Sequence, residues 1–428
     1  MIEILNAFFL IACLAIIFSF PFSNLSLANR CRIKLKDIFE VYVVNFTCVC
    51  SAMLVLAFFE LNLTNVFYIF LCLALINLLL VNRMLFKNTL SHLIVFFFFV
   101  FIYFVKIADH PALEWDAFSH WIYKVKNFYY GYSYKNFYNL PNHNAYPPLG
   151  SYLWAFFWKG SLVNNEYTGR IIFVFAYFLS LFSIVSKFNF NLASKIFLIT
   201  FITFLTFDNY LFSGYQEPLI FSLTVFSLLL FHKIKDYNRI SIYHLFLALC
   251  CNLIAWTKNE GIFLILFLYI FVFFDKAIKT KSKFVSFVAI VIIIFVKKTV
   301  DVSIYSNDLN LGFPSWFIFV SLEDFFNLSN FTEKVFFLST NTFKTFFKYP
   351  IFIVFLTFVF LNLIKKKFTK NDFLTFIYFL VTLVCINLIF FLDSSGWKFR
   401  AEVGLDRIFF DTSAVYLYYI LSKVKKAF

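Results

Sequence analysis

Residues 90–107 read LSHLIVFFFFVFIYFVKI, and the polar stretch that follows, residues 108–121, reads ADHPALEWDAFSHW. The first of these is long and apolar enough to cross ~30 Å of hydrocarbon as an α-helix. Similar runs recur throughout the 428 residues, of which 62% are apolar and only 14% charged. A soluble protein of this length does not have this composition. The sequence therefore predicts an all-α, polytopic membrane protein.

The net charge of +14 does not indicate a nucleic-acid partner. Most basic residues lie in short clusters at the ends of apolar runs, where they set orientation and contact anionic membrane lipid. The eight cysteines fall in predicted spans or in one connector predicted to be cytoplasmic. They therefore imply no disulfide framework. The abundant phenylalanine is attributed to base composition and carries no functional interpretation.

The apolar runs and the positive-inside rule predict about thirteen crossings, with the N-terminus outside and the C-terminus inside. Residues 2–20 are interpreted as a retained span rather than a signal peptide. Leu149 to Trp158 is too short to cross, so it is predicted to be interfacial or re-entrant. The predicted spans are 2–20, 39–59, 63–81, 90–107, 169–187, 195–212, 218–231, 242–257, 260–275, 283–299, 349–364, 373–392 and 407–421.

This topology describes a single integral membrane domain over residues 1–428 with two sizeable outer loops. The first, residues 108–160, is expected to carry amphipathic juxtamembrane helices. The second, residues 300–347, has aromatic residues that suggest a helix on the membrane surface. These aromatic residues are Phe313, Trp316, Phe317 and Phe319.

The first outer loop contains a segment with two distinct helical faces. Apolar residues recur at helical spacing at Phe118, Ile122, Val125 and Tyr129. Asp116, His120 and Lys124 are each four residues apart and share another face. We expect a helix on the bilayer with its apolar side down, presenting acid, imidazole and amine to the outer water. The alternative is an anchoring helix whose charges are merely solvated.

Other charged residues lie at span ends on the same predicted side. They are Glu217, Lys258, Glu260, Arg400, Glu402, Asp406 and Arg407. Such charges commonly extend to the interface without a further role. Their number on one side, at span ends rather than in free loops, favours a shared polar cavity. Arg407 would lie at the membrane edge, at the height of a lipid-linked phosphate.

Several short motifs lie in order along the chain. They are Trp115-Asp116, Ser119-His120-Trp121, Tyr146-Pro147-Pro148-Leu149, Glu166 to Arg170, Tyr215 to Leu219, Thr257 to Gly261, and Arg400 to Arg407. As an ordered set they resemble motifs of GT-C-fold glycosyltransferases, which include protein O-mannosyltransferases and lipid A aminoarabinose transferases. This chain departs from the pattern in two ways. The Asp116 motif follows four spans, whereas many members have it after the first. The motif also lacks two acids in succession, which leaves Glu114 or Glu217 as the second acid.

The resemblance implies inverting transfer of a sugar from a polyprenyl-phosphate donor to a glycan, lipid or protein acceptor. Asp116 would be the catalytic base. Glu217 would orient the acceptor, or join Asp116 and His120 around a divalent metal ion. Cations would bind the leaving lipid phosphate, and the candidates are Lys258, Arg400 and Arg407. Further substrate-binding candidates are His120, Lys124, Tyr146 and Glu260.

The resemblance also implies a bacterial inner (plasma) membrane protein with its site on the periplasmic or outer face. Two other classes fit parts of the sequence. A flippase or transporter of lipid-linked saccharides would place polar groups near the bilayer midplane, often with repeat symmetry. An O-antigen polymerase or ligase would be organised around a large late outer loop. Here the richest motif comes early, and no glycine-rich nucleotide-binding loop is present.

Overall fold

The computed structural model describes the chain apart from a few short segments and one longer one. The four aromatic residues predicted to lie on the membrane surface are outside the described residues. The omitted residues are 1, 24–27, 29–30, 32–36, 80–88, 141–145, 238–239, 277, 306–327, 394–395 and 428.

The described residues form α-helices joined by turns and short helical segments, which confirms the all-α prediction for this part of the chain. Each predicted span coincides with one helix. The helices are α1 Ile2–Ile17, α2 Ile38–Leu56, α3 Leu63–Leu78, α4 Leu90–Asp109, α5 Ile122–Tyr129, α6 Leu149–Lys159, α7 Ile171–Val185, α8 Leu192–Thr206, α9 Glu217–Tyr237, α10 Ile242–Ala255, α11 Gly261–Phe274, α12 Thr280–Tyr305, α13 Leu328–Lys348, α14 Ile351–Ile364, α15 Lys370–Phe391 and α16 Trp397–Ala427.

Five described segments are long and apolar enough to cross a membrane, and six if a pair bent by 90° at Lys348–Ile351 counts as one span. They indicate an integral membrane protein. Five further apolar helices are shorter than 18 residues. At 1.5 Å per residue, a helix of 14 residues extends only about 21 Å. Length and composition therefore support five or six spans in the described chain, and the larger number of crossings stays a prediction.

Two compact units make up the chain. The first comprises residues 1–201 and 208–304, and the second comprises residues 202–207 and 305–428. No such boundary follows from the composition, which is apolar throughout. The candidate residues from Asp116 to Glu260 belong to the first unit, whereas Arg400 and Arg407 belong to the second.

The core of the first unit surrounds α7, in which all 15 residues are buried. Aromatic rings pack around Phe175 on this helix. Its ring centroid lies 5.1 Å from that of Phe18, 5.4 Å from Phe96 and 6.3 Å from Phe46. Such ring pairs add about 0.5–1.5 kcal/mol each beyond the area they bury. Whatever the origin of the phenylalanine-rich composition, phenylalanine side chains pack in the core of this unit.

A buried aromatic cluster also joins the helices of the second unit. The Tyr416 ring on α16 lies 4.7 Å from Phe355 on α14 and 5.8 Å from Phe379 on α15. Its hydroxyl group lies 3.0 Å from that of Thr382. The apolar side chains bring the helices together, and the hydroxyl pair gives the buried Tyr416 a polar partner.

One ionic cluster ties together three helix ends that the topology places inside. Glu40 near the start of α2 binds Lys233 near the end of α9 at 2.8 Å and Lys187 just after α7 at 3.6 Å. The positive-inside rule predicts that the connectors carrying Lys187 and Lys233 lie on the cytoplasmic side. Their shared contact with one carboxylate agrees with their lying on the same side.

Candidate functional site

Asp116, a half-buried residue, follows a stretch of chain that a buried arginine holds in place. Arg170 is excluded from solvent and donates to the carbonyl oxygens of Pro111 and Ala112. The same guanidinium binds the carboxylate of Glu166 one helical turn earlier. The Glu166 to Arg170 motif therefore fastens the approach to Asp116 onto the start of α7.

A second contact fixes the same stretch to the loop before α9. The backbone N–H of Glu114 donates to the Ser213 carbonyl at 3.2 Å. Next to it, Gly214 has a φ of +102°, a conformation in the left-handed region that favours glycine. A Cβ at Gly214 would lie 2.7 Å from the Ala117 Cβ and 2.8 Å from the Trp154 ring. The absence of a side chain thus lets the acid-bearing segment approach the loop that leads into Glu217.

The helix after Asp116 begins with a π-helical turn, Ala117–Trp121, in which the Ile122 N–H donates to the Ala117 carbonyl. This turn is wider than an α-helical turn, so the four-residue spacing no longer places side chains on one outward face. His120 is only 8% exposed and Lys124 is fully buried, whereas Phe118 is 63% exposed. The expectation that imidazole and amine would face the outer water is therefore wrong.

Lys124 lies among aromatic rings. Its Nζ atom is 5.5 Å from the ring centroids of Trp121 and Tyr146 and 5.9 Å from that of Phe137. It donates to the His120 carbonyl at 3.2 Å. Within the described residues, no carboxylate lies within ion-pair distance of this ammonium group. Burial lowers the pKa of Lys124 to about 7.

The Tyr-Pro-Pro-Leu motif folds back beside this helix. Tyr146 packs on Trp121 at 5.2 Å, and Tyr152 packs on Phe128 at 5.1 Å. Helix α6, which begins at Leu149, has 11 residues and is buried at almost every position. Its length is about 16 Å, which is too short to cross the hydrocarbon. The structure thus places Tyr146 and Lys124 together.

Glu217 and Lys258 form a buried ion pair, with Lys258 Nζ 3.0 Å from Glu217 Oε1. Glu217 is the first residue of α9, and Lys258 lies in the short connector between α10 and α11. Only 1% and 8% of the two side chains are exposed. Two buried charges of opposite sign stabilise each other, whereas either alone is costly.

The connector that carries Lys258 is held from two sides. The Leu149 N–H, at the start of α6, donates to the Trp256 carbonyl at 3.1 Å. On the other side, Lys297 Nζ on α12 donates to Asn259 Oδ1 at 3.0 Å and to Asp301 at 2.7 Å. These contacts set the position of Lys258 relative to the Tyr-Pro-Pro-Leu motif.

The described residues contain no group of three or more acid, imidazole or thiol side chains that could hold a metal ion. In the described structure, Asp116, His120 and Glu217 are therefore not gathered into one three-residue group. The Glu217 carboxylate instead accepts a hydrogen bond from Lys258. The His120 ring lies edge-on to Trp115, 5.5 Å away.

The remaining predicted residues have other settings. Glu260 is partly buried, two residues beyond Lys258. In the second unit, Arg400 binds Asp393 through Nε at 2.6 Å. Arg407 is largely buried, and its Nε donates to the Val403 carbonyl at 2.8 Å. The two arginines share α16, and each has a contact within its own unit.

Sequence reasoning missed several residues that support the site, namely Gly150, Gln216, Lys297 and Asp301. For Lys297 and Asp301 a signal existed, because a lysine and an acid four residues apart end an otherwise apolar run. Gly150 carries no such signal, and Gln216 stands out only as part of the Tyr215 to Leu219 motif. Their importance depends on a contact between residues far apart in the sequence.

Comparison of the chain with protein-family models, with curated proteins and with solved structures gives no match.

Proposed function

We propose that this protein is an integral membrane glycosyltransferase of the GT-C type. It would move a sugar from a polyprenyl-phosphate donor to a hydroxyl group of a glycan, lipid or protein on the non-cytoplasmic face. The main support is the setting of Asp116, a half-buried carboxylate tethered beside the loop that leads into the buried Glu217–Lys258 pair. A base needs such a fixed position close to charged groups that contact substrate.

The proposed topology has about thirteen crossings, with the site on the periplasmic face of a bacterial inner membrane. The coincidence of every predicted span with a helix supports it. The short helices would need neighbouring protein or local thinning of the bilayer to complete a crossing. Membrane lipid and the lipid-linked donor are the implied partners, and nucleic acid is not among them.

In the proposed reaction, Asp116 accepts the proton of the acceptor hydroxyl group as its oxygen attacks the anomeric carbon. A new C–O bond forms while the C–O bond to the donor phosphate breaks. The lipid phosphate leaves with the bonding electron pair, and the configuration inverts. No step requires a metal ion.

Cations are proposed to stabilise the phosphate as its charge develops. Lys258 is the candidate within the first unit. Lys258 is already held by Glu217, so its ammonium group is oriented before substrate binds. Lys124 and Tyr146, which the fold brings together, are proposed to line the donor site.

A transfer assay tests this proposal. Protein in lipid nanodiscs is incubated with radiolabelled undecaprenyl-phosphate sugars and a membrane extract as the source of acceptors. The wild type is expected to form labelled product, and Asp116→Asn to form none at equal abundance. Asp109→Asn is the matched control, because Asp109 is 76% exposed and lies in the same outer segment.

The same assay separates the competing functions. A flippase would move labelled lipid across the bilayer without forming a glycosidic product. Full activity of Asp116→Asn would refute its role as base. Absence of product from the wild type with every donor would refute the transferase itself.

A further inference from the structure

Gln216 has an unusual setting for a buried amide. It is 0% exposed, and neither its Oε1 nor its Nε2 atom has a hydrogen-bond partner among the described residues. Burying a polar group without a partner is unfavourable, because the hydrogen bonds that it makes to water in the unfolded chain are lost. Native proteins satisfy most buried polar side chains, so each exception requires an explanation.

The amide lies against the first turn of α6. A Cβ placed on Gly150 would be only 1.3 Å from Gln216 Oε1, so the glycine provides the space that the amide occupies. The next two residues, Ser151 and Tyr152, also have buried hydroxyl groups without a partner in the described chain. Three neutral donor–acceptor groups thus lie unsatisfied on two adjoining segments.

We infer that the Gln216 amide binds a hydroxyl group of the saccharide substrate, either on the donor sugar or on the acceptor. This inference rests on the proposed function. Gln216 directly precedes Glu217, whose charge is balanced by Lys258 at 3.0 Å, so the surroundings do not require a charged ligand. An amide both donates and accepts hydrogen bonds, as a hydroxyl group does.

Binding is coupled to opening. The amide is closed off from solvent, so the surrounding side chains separate when a ligand hydroxyl reaches it. The unsatisfied amide makes the closed, unliganded state less stable. The ligand hydroxyl group then supplies the missing hydrogen bonds. A sugar that lacks this hydroxyl group leaves the buried amide unsatisfied, so the site discriminates against it.

The leucine substitution Gln216→Leu separates a binding role from a structural one. It keeps the approximate volume and removes the unsatisfied polar atoms, so the unfolding midpoint should stay the same or rise. The KM for the substrate that carries the hydroxyl group should increase about tenfold to a hundredfold. KM is measured separately for donor and for acceptor, which shows which of the two is recognised.

A direct binding measurement accompanies the kinetics. Thermal shifts are recorded with undecaprenyl-phosphate mannose, undecaprenyl-phosphate glucose and sugar-free undecaprenyl phosphate. If Gln216 recognises the donor, Gln216→Leu loses the extra stabilisation that the sugar adds and keeps the shift from the lipid phosphate. If it recognises the acceptor, the donor shifts are unchanged and only the acceptor KM rises.

Gly150→Ala gives a second test that does not change the glutamine. Its Cβ would displace the amide, so a similar rise in KM is expected. In a Gln216→Ala background, Gly150→Ala should raise the KM little further, because its clash is with the glutamine side chain.

Unchanged KM values and ligand shifts in both Gln216→Leu and Gly150→Ala, with an active wild type, would overturn this inference alone. A wild type that neither binds these lipids nor transfers sugar would overturn the proposed function and this inference together.

Discussion

Lys258 Nζ lies 3.0 Å from Glu217 Oε1, and both side chains are almost completely buried. The pair links the start of α9 to a connector 41 residues later in the chain. Neither charged group reaches solvent, so Glu217 and Lys258 are not merely solvated charges at the ends of spans. Their burial makes the pair a sensitive point for stability.

Removing one partner of this ion pair should therefore destabilise the protein more than removing both. Lys258→Met leaves a buried carboxylate and should destabilise the protein by about 3–5 kcal/mol. The double variant Lys258→Met/Glu217→Leu should recover most of that loss. The measurement is the unfolding midpoint in detergent by intrinsic fluorescence. Lys398→Met is the control, because its pair with Glu333 is half exposed and worth under about 1 kcal/mol. Equal losses in the single and double variants would contradict the expected coupling.

Lys124 should make stability dependent on pH. Its pKa is lowered from 10.5 to about 7 by burial, so between these values the unfolded chain binds a proton that the folded protein does not. Stability should therefore rise as pH increases from about 7, by roughly 2–3 kcal/mol over two pH units. Lys124→Met should flatten this part of the profile and stabilise the protein most below about pH 7. An unchanged profile in the variant would refute the lowered pKa.

Arg170 should restrain the stretch before Asp116. Arg170→Lys keeps the charge but loses the planar fork that reaches the carbonyl groups of Pro111 and Ala112. Faster hydrogen–deuterium exchange is expected in residues 111–116, together with a loss of stability of about 1–3 kcal/mol. Lys135→Ala, an exposed substitution in the same outer loop, serves as the control. Unaltered exchange in Arg170→Lys would mean that other contacts position this stretch.

Gly214 should not tolerate a side chain. Its φ of +102° and the 2.7 Å approach to the Ala117 Cβ predict that Gly214→Ala costs about 1–3 kcal/mol. Gly404→Ala is the comparison, because its nearest neighbour would be 3.7 Å away and the residue is helical. That substitution should be neutral or slightly stabilising. Equal unfolding midpoints for the two variants would refute the close approach.

Much of the fold could be predicted from local sequence. Apolar run length marks the helix of each predicted span, and the shortness of Leu149–Lys159 marks it as unable to cross. It does not mark α13, which lies almost wholly within the predicted outer loop 300–347. Helix ends were harder, since α12 continues to Tyr305 and α16 begins at Trp397, well outside the predicted spans. Polar residues at these ends remain helical because backbone hydrogen bonds continue past the apolar segment.

The candidate site was predictable only in part. The residue types at Asp116, Glu217 and Lys258 drew attention because charge is rare in this chain. The inward direction of His120 and Lys124 was not predictable, because the π-turn at Ala117–Trp121 depends on packing rather than on local periodicity. The Lys297–Asn259 contact joins two segments that no spacing rule relates.

The sequence by itself determined an all-helical membrane chain, because the length and apolarity of a segment decide whether it is stable in hydrocarbon as a helix. It also determined which few residues could carry charge-dependent chemistry. Only the tertiary structure decided which of them meet. Glu217 finds Lys258, and Gln216 fills the space left by Gly150, since such contacts depend on how the helices pack and not on the residues beside them in the chain.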